Sequence, residues 1–268
     1  MKILYIGDIM AEPGILAVEK ILPKLKESLA IDLVIAQAEN LSNGKGVLLK
    51  DFERIKTAGV DFCTGGNHIL SEPEIFPYLE DKGQPIVRPA NYPAGTPGLG
   101  YKYIQTKFGN VLVISILGQI VGKDASKPVD NPLKVIDKIL EDEAQFSKVA
   151  TVVNFHGDYS SEKLVFGYYL DGRVSAVIGD HWHIPTADSM VLPKSTAHIT
   201  DVGMCGTVYS SLGVKTDTII QRWRDGKVLR NEIEIDGLLQ FNAFLFEVDE
   251  KTGLAKSAQL IQETIEQV

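Results

Sequence analysis

Residues 32–40 read Asp-Leu-Val-Ile-Ala-Gln-Ala-Glu-Asn, an apolar run that ends abruptly in a carboxylate and an amide. A short, continuous apolar run of this kind suits a strand buried on both faces, as in a parallel sheet covered by helices. The same unit recurs along the chain. Residues 2–7 end at Asp8, and residues 60–64 lead through Gly65-Gly66 to Asn67-His68. Residues 150–155 end at His156, and residues 174–178 lead through Gly179-Asp180 to His181-Trp182-His183. Helical spacing over 15–28 and 49–58 separates the first three units, with Pro13-Gly14 punctuating a loop and Gly59 stopping the second helix. Strand–helix alternation predicts an α/β fold with a parallel sheet. In an open α/β sheet, side chains beyond the carboxyl ends of the strands gather in one crevice.

The remainder is less regular. Residues 72–81 predict a helix, and 88–100 a Pro/Gly-rich loop. Residues 101–106 and 110–116 predict an antiparallel pair. Helices are expected over 132–146, with Pro132 in the first turn, and over 160–170. A short strand is expected over 196–200. From Thr218 onward the chain reads as β: residues 218–223 and 227–235 flank Asp225-Gly226, a hairpin signal, and 241–248 form a last strand. There is no repeat, low-complexity segment or charge block, so residues 1–268 are read as one domain.

Composition narrows the class. The chain is 44% apolar and 23% charged, with a net charge of −8. An acidic balance argues against broad binding to a nucleic-acid backbone, whereas a small anionic substrate held by a metal remains compatible. The two cysteines, Cys63 and Cys205, make no disulfide framework. With no secretory leader pattern and no apolar run near the ~20 residues of a membrane span, a cytoplasmic protein without membrane attachment is expected.

The five polar tips bring candidates Asp8, Glu39, Asn40, Asn67, His156, His181 and His183. These are nitrogen and oxygen donors without thiolate, which suit zinc, manganese or iron. Glu39 has two oxygens with which to bridge a pair of ions. Two ions about 3.5–4 Å apart can hold a hydroxide at neutral pH and clamp phosphoryl oxygens, which points to a binuclear-metal hydrolase. His68, beside Asn67, is the candidate proton donor. His181 and His183 share one side if their segment is extended. Taken singly, each His is more often a hydrogen-bonded structural residue, and Asp8 or Asn67 could serve only a turn; the ordered set carries the metal reading. His198 fits no block and is read as structural. Asn43-Gly44-Lys45-Gly46 lacks phosphate-loop spacing and is read as a flexible loop. Arg88 could meet a phosphate or a carboxylate. Trp182 and Tyr92 could pack near the site or stack on a base. Cys63 reads as a small core hydrophobe.

Gly7-Asp8, Glu39-Asn40, Gly66-Asn67-His68, Phe155-His156 and His181-x-His183 resemble the five blocks of the calcineurin-like metallophosphoesterases. More closely, the chain resembles the YmdB-like branch of bacterial cyclic-nucleotide phosphodiesterases, through strings such as Arg88-Pro89-Ala90-Asn91-Tyr92-Pro93 and Asp171-Gly172-Arg173-Val174-Ser175-Ala176. The matching blocks run in order from the N-terminus to about Gly206. The resemblance implies a four-layer α/β/β/α sandwich and two divalent ions, iron or manganese. It implies that Asp8, Glu39, Asn40 and His183 hold one ion, and that bridging Glu39, Asn67, His156 and His181 hold the other. A 2′,3′-cyclic nucleotide would be opened to a 3′-nucleotide by a metal-bridging hydroxide, with His68 as proton donor. A homo-oligomer is expected. The chain departs from the family pattern at Met10, Ile69-Leu70-Ser71, Gly157-Asp158, Asp180 and Cys205, none of them a ligand in this branch. A phosphomonoesterase or nucleotidase on the same site is the sister reading. A non-catalytic nucleotide- or partner-binding regulator is the rival from another class.

Overall fold

The computed structural model of the protein describes residues 1–122 and 125–267. Two sheets face each other. In the first, β1 (Lys2–Ile6), β3 (Leu33–Gln37) and β4 (Phe62–Thr64) run parallel. β12 (Leu239–Val248) lies antiparallel to β1, with β13 (Ala255–Ile265) along its other side. The short β2 (Asp8–Ile9) and β11 (Met204–Thr207) continue this sheet past the end of β1. The second sheet has the order β5-β6-β7-β8-β10-β9. Its parallel centre is β6 (Gly109–Leu117), β7 (Ala150–His156), β8 (Ala176–Asp180) and β10 (Ala197–Ile199). The edges β5 (Tyr101–Thr106) and β9 (Met190–Val191) are antiparallel.

The period of two along each strand builds the layers. Ile3 and Tyr5 of β1 and Leu33 and Ile35 of β3 meet Val113, Val152 and Ile178 of the other sheet in an inter-sheet core. The alternate residues Leu4, Ile6, Val34 and Ala36 face α1 (Ala11–Ser28), α2 (Leu49–Ala58) and α3 (Phe76–Glu80). On the outer face of the second sheet, Leu112, Ile114 and Val153 pack against α4 (Pro132–Asp142) and α5 (Ser160–Tyr169). Helix, sheet, sheet, helix is the α/β sandwich expected.

Several boundaries differ from the sequence reading. The helix expected from residue 15 begins at Ala11, with Pro13 and Gly14 inside its first turn rather than in a loop. A first-turn proline gives up no helical hydrogen bond, because those N–H groups have no partner within the helix. A side chain on Gly14 would stand 2.6 Å from the Cys205 carbonyl oxygen, so the close approach of α1 to β11 requires a glycine. Residues 72–81 divide into a 3₁₀ turn, Pro73–Ile75, and α3. The hairpin expected over 218–235 is absent. Thr216–Asp225 is instead helix α6, closed by left-handed Gly226. The Asp-Gly pair is thus a helix end followed by its C′ glycine, a signal shared with hairpin turns. β13 was missed because it is an edge strand with most residues exposed, and its apolar alternation is weak. No described helix is long and apolar enough to cross a membrane.

Candidate metal centre

The carboxyl ends of β1, β3 and β4 from one sheet and of β7 and β8 from the other meet at one edge of the sandwich, and all seven donor candidates lie there. The contacts form two groups that share Glu39. In the first, Asp8 Oδ2 lies 3.2 Å from His183 Nε2 and accepts from Asn40 Nδ2 at 2.8 Å. Asn40 Nδ2 also reaches Glu39 Oε1 at 3.3 Å and His183 Nε2 at 3.4 Å. In the second, His156 Nε2 lies 3.2 Å from Glu39 Oε1 and 2.9 Å from Asn67 Oδ1. The rings of His156 and His181 stack edge-on at 4.5 Å. One donor atom each from Glu39, His156 and His181 falls within a 4.8 Å group suited to a cation.

The backbone is shaped for this convergence. His181 and His183 have φ of 108° and 64°, so their segment is not extended; two left-handed residues turn both rings inward. Such conformations are costly for residues with a Cβ and concentrate at functional sites. Gly66 passes so close that a Cβ there would lie 2.4 Å from Glu39 Oε2 and 2.5 Å from His156 Nε2. The His68 backbone N–H donates to Glu39 Oε2 at 2.7 Å, which fixes the carboxylate.

Electrostatics follow from burying acids and imidazoles together. Burial alone would raise the Glu39 pKa, but His156, His68 and His181 outweigh it and hold Glu39 well below the usual range, as a carboxylate. Burial would likewise lower that of His156; Glu39 and Asp180 overcome it and push His156 well above its ordinary value. Asp8 does the same for His183, against the burial effect. The acids thus favour positive charge at the His156 and His183 rings, where a cation would sit between ligands, and metal binding would compete with protons there.

These residues fit a metal. The donor set is all nitrogen and oxygen, and Asp8 Oδ1 is buried with no hydrogen-bond partner among the described residues, the orphan expected where a cation is to be met. Asn40 would have to turn its amide over, because its Oδ1 presently accepts from His68 Nδ1 at 2.8 Å.

Behind the centre lies a polar layer that sequence reading reached only in part. Asp180, one of the departures from the family pattern, is fully buried behind His156. Its Oδ1 meets His156 Nδ1 at 2.7 Å. Its Oδ2 accepts from Asn154 Nδ2 at 2.7 Å, Gln37 Nε2 at 2.9 Å and Tyr5 hydroxyl at 3.0 Å. Asp158 lies 3.3 Å from His181 Nε2. Burial and His181, the first raising and the second lowering, leave Asp158 below its ordinary value. Lys163, wholly buried, bonds the Asp180 carbonyl and the Asp201 carboxylate, each at 2.7 Å, and lies 4.0 Å from the Trp182 ring. Trp182 therefore packs beside the site, its indole N–H donated to the Asp158 carbonyl. Tyr92 hydroxyl approaches the Gly66 carbonyl at 3.5 Å. Arg88 meets no carboxylate among the described residues; it donates to the carbonyls of Pro89, Thr96 and Pro97. His198 is structural, as expected, with Nδ1 on the Val177 carbonyl.

Glu39, Asn40, His181 and His183 open into a cavity of about 580 Å³, lined also by His68, Met10, Leu212 and α6 residues Ile219, Arg222 and Trp223. Those α6 residues were missed, because the segment reads as β. The apolar spacing Ile219–Ile220–Trp223, with acidic Asp217 early and basic Arg222 and Arg224 late, could have found the helix.

Two facing sheets with this donor set at their joint carboxyl edge define a metallophosphoesterase-type enzyme. The chain belongs to the YmdB-like protein family, whose model matches residues 4–261. It is 36% identical to the 2′,3′-cyclic-nucleotide 2′-phosphodiesterase of Bacillus subtilis, over 97% of this chain and 96% of that protein. Among solved structures, a novel phosphatase from Mycoplasma pneumoniae superposes with a TM-score of 0.91 at 31% identity, covering 98% of this chain and 93% of that one. A hypothetical protein from Thermus thermophilus gives 0.89 at 35% identity, covering 98% and 99%.

Proposed function

We propose that the protein is a binuclear metal-dependent phosphodiesterase that opens 2′,3′-cyclic nucleotides to 3′-nucleotides. The observation that carries the reading is the convergence of seven nitrogen and oxygen donors in two groups sharing Glu39, with Asp8 Oδ1 left without a hydrogen-bond partner among the described residues. Asp8, Glu39, Asn40 and His183 would hold one ion, and Glu39, Asn67, His156 and His181 the other; the donors suit zinc, manganese or iron, and the family resemblance favours iron or manganese. When bound, the ions supply Lewis-acid stabilisation of the phosphoryl oxygens and activation of water.

The chain's own residues supply the rest. Asp180 accepts His156 Nδ1–H and so keeps Nε2 directed at the centre. With its amide turned over for the metal, Asn40 would donate Nδ2–H to His68 Nδ1, which keeps the ring proton on Nε2, the nitrogen we assign to protonating the departing 2′ oxygen. Burial lowers the His68 pKa, while Glu39 works against that effect. An anionic substrate alongside would oppose that lowering and help keep the proton on Nε2. The 3′-phosphoryl group stays on the product, and the 2′ oxygen leaves as a hydroxyl.

The test compares 2′,3′-cyclic AMP with the monoesters 3′-AMP and 5′-AMP on metal-loaded protein. Turnover of the cyclic diester to 3′-AMP, with the monoesters left intact, is the expected result. Preferential release of phosphate from the monoesters would replace the reading with a nucleotidase. Binding without turnover of any of them would favour the regulatory protein.

A further inference from the structure

The cavity reaches well beyond the donors. At about 580 Å³ it is within the range of sites that enclose a small organic ligand, far more than two ions and a phosphoryl group require. Its far wall is α6 with the segment that returns from it. The chain has two tryptophans, and both Trp182 and Trp223 line this one cavity. They differ in freedom. Trp182 is held by its indole N–H bond and by Lys163 against its ring. Trp223 is 84% exposed, a large aromatic face left at the rim.

The wall is built to carry that face. No α6 side chain is fully buried, and the helix is seated through Ile219 on a small cluster of Met10, Met204 and Val214 beside the donors. Arg222 ties the helix to its return segment, Nη2 donating to the Leu229 carbonyl at 2.6 Å and to Asn231 Oδ1 at 2.7 Å. It is the one Lys or Arg among the described lining residues, in a chain of net charge −8.

Resting on the cyclic-nucleotide reading above, we infer that α6 carries the nucleobase subsite, with the Trp223 indole as its stacking face. The phosphoryl end of the substrate lies at the donors, and the base extends across the cavity to α6. An exposed indole offers a π-face to any base, and stacking scales with the area of the base, so purines benefit more than pyrimidines. Arg222 is a positioning residue that holds the wall. Recognition of the base therefore resides in an element that carries no proposed metal ligand.

The experiment uses the full chain and two cyclic diesters, 2′,3′-cyclic AMP and the base-free glycerol 1,2-cyclic phosphate. Trp223→Ala should reduce kcat/KM for the nucleotide about tenfold, mostly through KM, and leave the base-free diester within about twofold. Trp223→Phe should restore most of the loss, and the preference for cyclic AMP over cyclic CMP should shrink in the Ala variant. A second readout is independent of turnover: 3′-AMP should quench the tryptophan emission of the wild type more than that of Trp223→Ala. Equal losses on both diesters, or no loss on either, would overturn the inference. So would a Trp223 emission already typical of a buried indole and unmoved by 3′-AMP, which would mean that a second copy of the chain covers it. If the wild type cleaves neither diester, the proposed function fails by itself, and the quenching comparison still decides the subsite.

Discussion

Replacing Asp180 by Asn removes one charge and almost no volume from the layer behind the donors, so its effect reads charge and hydrogen bonding without a change of packing. In the wild type, three donors converge on Oδ2 at 2.7–3.0 Å, and His156 Nδ1 meets Oδ1 at 2.7 Å. An asparagine has two ways to sit. With its NH₂ in the Oδ2 position, it confronts the amide hydrogens of Gln37 and Asn154. Tyr5 can redirect its hydroxyl to Thr64 Oγ1, 2.6 Å away. Two buried donors then lack acceptors, at about 1–3 kcal/mol each. With the NH₂ in the Oδ1 position instead, His156 must carry its proton on Nε2, the nitrogen that would face a metal. The expected result is a loss of about 2–4 kcal/mol in unfolding free energy, or a 10- to 100-fold weaker metal affinity, or a share of both. Urea titration of the metal-free protein and calorimetric titration with manganese measure the two. A variant within about 0.5 kcal/mol of wild type that also binds manganese equally well would refute the reasoning.

Gly66→Ala places a methyl 2.4 Å from Glu39 Oε2 and 2.5 Å from His156 Nε2; metal content by mass spectrometry should fall at least tenfold while the circular dichroism spectrum persists. His68→Gln keeps the backbone N–H bond to Glu39 but removes the proposed proton donor. It should lower kcat by about 10²–10⁴ with metal content unchanged. Chelation should abolish turnover and lower Tm. Manganese at about 100 times its dissociation constant should restore both, adding about 2.7 kcal/mol of stability.

The sheets and the donors were legible in the sequence for the same reason. A strand buried on both faces is a continuous apolar run, and the chain must turn polar where that run reaches the sheet edge, so 2–7, 32–38 and 150–155 each announced both a strand and its tip. What failed was local and ambiguous. Thr, Ile and Trp in 216–225 favour strands by propensity, but packing of Ile219 on the Met10–Val214 cluster selects the helix. The inward aim of His181 and His183 was expected for the wrong reason: left-handed backbone, not extension, brings them together. Asp180 stood out as a departure from the family pattern, but its role behind His156 depends on Tyr5, Gln37 and Asn154, which come from other strands and form no pattern along the chain.

The most direct test of the metal centre is the metal content per chain of the purified protein, paired with turnover of 2′,3′-cyclic AMP after loading with manganese or iron(II). The account predicts about two ions per chain and 3′-AMP as the product, both lost in Asp8→Asn and His156→Ala. A protein that takes up no metal under any loading, or whose Asp8→Asn and His156→Ala variants bind metal and turn over substrate as the wild type does, would contradict it.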